Sequence, residues 1–255
     1  MSPRRRPPDL VLLIAVLVLL VLGIVMVYSA SFIIGHNEFN DGNYFLLRHL
    51  TALMVGLVAL GLVAGIDYRR WQRWAGVGLV VCLVLLVLVL IPGIGSEVYG
   101  ARRWITLGRF QVQPSELTKL VLLVFLATWL ARRPGRVSRL SSSLQFVGLI
   151  GLVALLIMRE PDMGTTIVIV LAATSVFWVA GANLAHVATV GAVGVVAMGI
   201  LATSAAYRVQ RLQGWSDPWA DPQGIGWHTV QSLIALGSGG LLGRGLGAGL
   251  QKAYY

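Results

Sequence analysis

Apolar runs of about 20 residues, separated by short polar connections, recur along this chain. The first, residues 10–30, reads LVLLIAVLVLLVLGIVMVYSA and carries no charge. In hydrocarbon, a single segment can satisfy all its backbone N–H and C=O groups only as a helix. The pattern therefore predicts an all-α polytopic membrane protein with about seven spans. They fall near 10–30, 46–66, 75–92, 115–131, 144–158, 166–181 and 184–206. A water-soluble domain is excluded, because only 12% of residues are charged against about 25% in soluble domains. The triplet Arg4, Arg5 and Arg6 before the first run looks like the start of a secretory signal. The run that follows is too long for a cleaved signal and reads as a retained first span.

Residues 1–206 form the predicted helical bundle. Residues 207–255 read as a polar, glycine-rich extracytoplasmic loop. The fifth and sixth runs are short and joined by REPDMG, a Pro-Asp turn that suggests a boundary dipping into the membrane. Cys82 is the single cysteine and lies inside a run, so it forms no internal disulfide and reads as an inert, buried thiol.

Basic residues set the orientation. With the N-terminus cytoplasmic, the inner side holds Arg4, Arg5, Arg6, Arg69, Arg70, Arg73, Arg132, Arg133, Arg136 and Arg139, against only Asp9 and Asp67. The other side holds nearly balanced charge. The formal charge of +10 thus reflects contact with anionic membrane lipids rather than nucleic acid.

This placement puts Gly100–Gln113, GARRWITLGRFQVQ, on the outer face, where Arg102, Arg103 and Arg109 run against the usual bias. Two explanations stand. The arginines grip an anionic ligand, for which the planar guanidinium fork suits phosphate. Or they snorkel to lipid phosphates, with Trp104 at the interface. The next residues favour a ligand cleft. Pro114, Ser115 and Glu116 read as a helix start, and Gln113, Glu116 and Lys119 share one face. Ionisable groups at the mouth of a membrane helix are costly unless they face a cavity or a partner. The alternative is a self-neutralising Glu116–Lys119 pair. Asp162 in the REPDMG turn is either a helix cap or part of the same site.

In the tail, Asp217-Pro218 and Asp221-Pro222 read as turns, or as oxygen ligands for a divalent cation. HTVQSLIAL reads as a short amphipathic helix. Residues 243–248 match G-x-G-x-x-A, but no strand precedes them, so a dinucleotide site is rejected. His36, His49, His186 and His228 are scattered and do not resemble a metal set.

Three stretches together, GARRWITLGRFQVQPSELTKL, EPDMGTT and DPQGIGWHTVQSLIALGSGGLLGRGLGAGLQK, resemble the SEDS family (shape, elongation, division and sporulation), which includes FtsW, RodA and SpoVE. DPWADP and LGAGLQKAYY are more similar to the division and sporulation branch, FtsW and SpoVE. The resemblance implies a peptidoglycan glycosyltransferase that polymerises lipid II at the outer face of the bacterial cytoplasmic membrane. It implies a divalent cation, magnesium or manganese, and a class B penicillin-binding protein as partner. It also implies a polar cavity to which Glu116 and Lys119 of QPSELTK belong, with Arg103 before Trp-Ile. Arg102, Arg103, Glu116, Lys119 and Asp162 are the substrate-binding candidates.

The family carries about ten spans and a motif near LPExHTDFIFA whose Asp is the expected base. That motif would lie beyond Tyr255, so the chain is expected to be an N-terminal fragment, inactive by itself, with no catalytic residue of its own. Glu160 stands where the family commonly has Gln. Two rival functions are a lipid II flippase and a non-catalytic scaffold that recruits a penicillin-binding protein.

Overall fold

The computed structural model describes residues 9–98, 100–108, 110–240 and 243–249. The described chain is mostly helical. Six helices are long and apolar enough to cross a membrane, and a seventh apolar helix, Met163–Val179, is one residue shorter than the shortest of them. It is a multi-pass membrane protein. The chain divides into two compact units, one made of residues 1–65 with 202–255 and the other of residues 66–201.

The 66–201 unit contains α1 (Tyr68–Val89), a sheet of β1 (Gly95–Val98), β2 (Ala101–Leu107) and β3 (Phe110–Val112), then α2 (Pro114–Ala131), α3 (Leu140–Arg159), α4 (Met163–Val179) and α5 (Leu184–Thr203), which continues two residues into the other unit. The helices bury narrow stripes. In α1 these are Ala75, Leu79, Cys82, Leu86 and Val89; in α4 they are Thr166, Ile169, Ala173 and Phe177. Spacings of three and four place each set on one face of a helix. The stripes meet in one core, where the rings of Phe146 and Phe177 stack with centroids 4.3 Å apart. The opposite faces carry exposed apolar residues such as Leu155 and Leu171. These helices therefore have no polar outer face, the pattern of helices that face lipid.

The stretch read as an outer loop is a three-stranded antiparallel sheet, in order β1-β2-β3. Its strands escape periodicity analysis because they are only three to seven residues long. The turns depend on Gly100 (φ 74°) and Gly108 (φ 63°), in the left-handed region open to glycine. Contacts of β2 with α1 and α2 fix the sheet at one end of this unit.

The second unit contains α6 (Leu10–Phe39), α7 (Tyr44–Gly65), α8 (Ala206–Ser216) and α9 (Trp227–Gly239). The first span continues past residue 30 for more than two further turns. Asp9 caps it, its Oδ1 accepting from the backbone N–H of Val11 at 2.9 Å. Asn40, at φ 54°, ends it. The rings of Phe39 and Tyr44 stack across the connection, 4.0 Å apart. The tail is not a plain loop, since it supplies α8 and α9. Asp221 builds a turn between them, its two oxygens accepting from the N–H groups of Gly224 at 2.9 Å and Ile225 at 3.1 Å.

Candidate functional site

Arg103 and Asp162 meet where the sheet, the start of α2 and the α3–α4 turn come together. Successive side chains on a strand point to opposite faces, and β2 uses this to separate its two arginines. Arg102 pairs with Glu97, directly across the β1–β2 ladder, at 3.1 Å. Arg103 turns the other way and reaches the α3–α4 turn. Its Nε donates to the Glu160 carbonyl at 2.8 Å and its Nη2 to the Pro161 carbonyl at 2.6 Å. These two bonds tie the sheet to the bundle. They occupy one edge of the guanidinium, which has five N–H donors. The others find no protein partner among the described residues, and Arg103 makes no ion pair there.

Asp162 is nearly buried and caps α4. Its Oδ1 accepts from the Thr165 N–H at 3.0 Å and its Oδ2 from the Thr165 hydroxyl at 2.8 Å. The Gln113 side-chain amide, just ahead of α2, donates to the same Oδ2 at 3.2 Å. The cap alternative for Asp162 is thus realised, and the cap also joins two helix starts.

Glu116 and Lys119 bond to each other at 2.7 Å, one turn apart and partly exposed. Of the five candidates, Arg103 and Asp162 converge on the α3–α4 turn. Glu116 and Lys119 form their own pair, and Arg102 is committed to Glu97. Arg109 lies outside the described residues.

Two features went unseen in the sequence. The first is the Glu160 carboxyl, fully buried with neither oxygen hydrogen-bonded among the described residues. Loss of solvent raises its pKa to about 8, and the neighbouring charge of Asp162 pushes the same way. Arg103 pulls in the opposite direction but is outweighed. The second is a bond between the Ser143 hydroxyl and His186 Nδ1, 2.8 Å long, linking the starts of α3 and α5. Neither partner carries a spacing signal, being 43 positions apart.

Among the described residues no three His, Cys, Asp or Glu side chains gather to hold a metal ion. The oxygens of Asp162 are engaged, Glu116 is paired and Glu160 is buried.

This arrangement defines a class: a helical membrane protein with a short sheet fastened over one end of its bundle by an arginine that holds two carbonyls of a helix turn. The chain belongs to the family of FtsW, RodA and SpoVE, whose model, described as "Cell cycle protein", matches residues 10–255. It is 40% identical to stage V sporulation protein E of Bacillus subtilis over all of this chain and 70% of that protein. It is 42% identical to a probable peptidoglycan glycosyltransferase FtsW of Trichlorobacter lovleyi, over 97% of this chain and 65% of that one. The chain thus spans about two-thirds of the length of the curated relatives it matches. Among solved structures it is similar to the rod shape determining protein RodA of Thermus thermophilus, with TM-score 0.55 and 31% identity over 71% of this chain and 57% of RodA. It is also similar to a chain of a peptidoglycan synthase complex whose structure describes the coordination of polymerization and crosslinking. There the TM-score is 0.64, with 32% identity over 86% of this chain and 65% of that one.

Proposed function

We propose that this chain forms the diphosphate-gripping part of a peptidoglycan glycosyltransferase that polymerises lipid II. The observation that carries the reading is Arg103: a guanidinium held by one edge on two carbonyls, without a carboxylate partner among the described residues. A fixed, uncompensated guanidinium is suited to an anion that can accept from its remaining donors. The similarity to peptidoglycan glycosyltransferases of the FtsW type and to a chain of a peptidoglycan synthase complex supports glycosyl transfer, and a lipid-linked sugar diphosphate is the anion proposed for Arg103.

In this reaction an acceptor sugar 4-hydroxyl attacks the donor's anomeric carbon. The C–O bond to the diphosphate breaks, and the hydroxyl proton passes to a base. Charge grows on the leaving diphosphate, and a preorganised cation there lowers the barrier. Arg103 supplies that cation. Lys119 is a second donor once the ligand competes with Glu116. Asp162 holds Gln113 and the start of α4 in place, and Arg102 supports the hairpin through Glu97. A divalent cation would act on the same diphosphate, and the roles given to these residues do not depend on it. A class B penicillin-binding protein is the proposed partner.

The sheet faces outward in this proposal and the N-terminus is cytoplasmic, in keeping with the arginine-rich connections at 69–73 and 132–139. Cysteine labelling tests this, because the native Cys82 is buried. A membrane-impermeant maleimide is expected to reach Thr106→Cys in intact cells and Ser138→Cys only after permeabilisation. The reverse pattern overturns the orientation. For the activity, Arg103→Ala is compared with the unsubstituted sequence in a protein that also carries the family's remaining spans and its expected catalytic base, in vesicles loaded with lipid II. Loss of glycan strands supports the proposal. Polymerisation at the wild-type rate refutes it, and lipid translocation without polymerisation replaces it with transport.

A further inference from the structure

Next to Arg103 lies a carboxyl to which the reaction gives no part. Glu160 is completely buried, and both its carboxyl oxygens lack a hydrogen-bond partner among the described residues. Buried acids are ordinarily paired or hydrogen-bonded, because an isolated charge is costly away from water. The main chain of the same residue is not idle: its carbonyl is one of the two that hold Arg103. Carboxyl and guanidinium are therefore neighbours that do not pair.

The surroundings are sparsely charged. β2 contributes Arg103, the turn itself contributes Asp162, and α3 ends in the exposed Arg159. α2 contributes only the self-paired Glu116 and Lys119, and α4 has no charged residue along its length. Arg103 is thus the one cation described as acting on Glu160.

We propose that Glu160 is a positioning residue for the anion site: uncharged, it leaves Arg103 on its two carbonyls with donors open to diphosphate, and ionised, it competes with diphosphate for that guanidinium. The inference rests on the reading of Arg103 as the anion grip. Its geometric basis is a guanidinium bonded to the backbone carbonyl of the residue whose own carboxyl is buried and bonded to no described donor. The raised pKa, about 8, places the change just above neutral pH. Below it the acid is protonated and Arg103 is open. Above it the carboxylate draws on Arg103.

The test uses the purified protein in detergent and inorganic pyrophosphate as probe, with affinity measured on both sides of pH 8. Three proteins are compared: wild type, Arg103→Ala and Glu160→Gln, the last an isosteric amide that cannot ionise. The ratio of wild-type to Glu160→Gln affinity cancels the titration of the probe itself. That ratio is expected to fall by roughly tenfold as pH rises through the transition, a typical coupling between two sites. If Arg103→Ala binds as wild type does, the anion reading fails and this inference fails with it. If Arg103→Ala loses binding while the ratio stays flat, the inference alone is overturned.

Should Glu160→Gln not fold, wild type suffices, because linkage is reciprocal. Infrared titration of the buried acid's C=O band should show its midpoint moving to higher pH when pyrophosphate is bound. A midpoint that does not move overturns the proposal. A purely structural role for Glu160 would leave both readouts unchanged.

Discussion

The two compact units differ in how they use apolar sequence. In residues 66–201, α2 and α3 each bury about a third or more of their spanning window, and their stripes interlock. In the other unit, the spanning windows of α6 and α7 bury nothing inside the described chain, as is also true of α5 at the end of the 66–201 unit. Mean composition does not separate these helices, since all are rich in Leu and Val. The difference lies in small and polar residues placed on a stripe. Ser115, Thr118 and Thr128 in α2, and Ser142 and Ser143 in α3, are all buried. Such residues allow close helix approach. The polar end of the bundle belongs to the packed unit, where Arg103, Gln113 and Asp162 join the sheet to two helix starts and the α3–α4 turn.

Substitutions break or sharpen this contrast. The largest effect is expected at Arg103: alanine should lower lipid II polymerisation by about 100-fold or more, the scale for loss of one preorganised donor to a developing charge. In the packed core, Phe146→Ala should cost roughly 3–5 kcal/mol in thermal unfolding, by loss of the stack on Phe177. Leu22→Ala, on the exposed face of α6, should stay within about 0.5 kcal/mol. Equal losses at the two positions would erase the distinction between the units. The tail has its own well-defined point. A Cβ on Gly226 would meet the Pro218 carbonyl oxygen at 2.0 Å, so Gly226→Ala should cost about 1–3 kcal/mol.

A smaller effect concerns pH. The folded protein holds a proton on Glu160 that the unfolded chain releases above its ordinary value of 4.5. Stability should therefore fall as pH rises from that value to about 8 and then level off. Glu160→Gln should remove this component of the slope, read as thermal midpoint against pH. The smallest effect is expected at Arg102, whose partly exposed pair with Glu97 is worth at most about 1 kcal/mol. Arg102→Ala should keep activity within a few-fold, in contrast to its neighbour.

The helices were legible because runs of Leu, Val and Ile near 20 residues long leave few alternatives in hydrocarbon. The Pro114 helix start and the Asp162 cap followed from local rules that need only a few adjacent residues. The sheet was not legible, since RRWITL and FQV are too short for a period of two to stand out, and the apolar runs on either side dominate any window. Nor was the separate fate of Arg102 and Arg103. They are adjacent and chemically identical, and only strand alternation sends them apart. The contact between Glu160 and Arg103 spans 57 positions, a distance at which no local pattern carries information.

The two carbonyls under Arg103 have one more consequence. A lysine there would preserve the positive charge, yet its single ammonium lacks the planar geometry to bracket consecutive peptide oxygens while still presenting hydrogens outward. Arg103→Lys would thus detach the hairpin from the helix junction without neutralising it. Fastening and charge are separable properties of one side chain, and that exchange would reveal how much of each the protein requires.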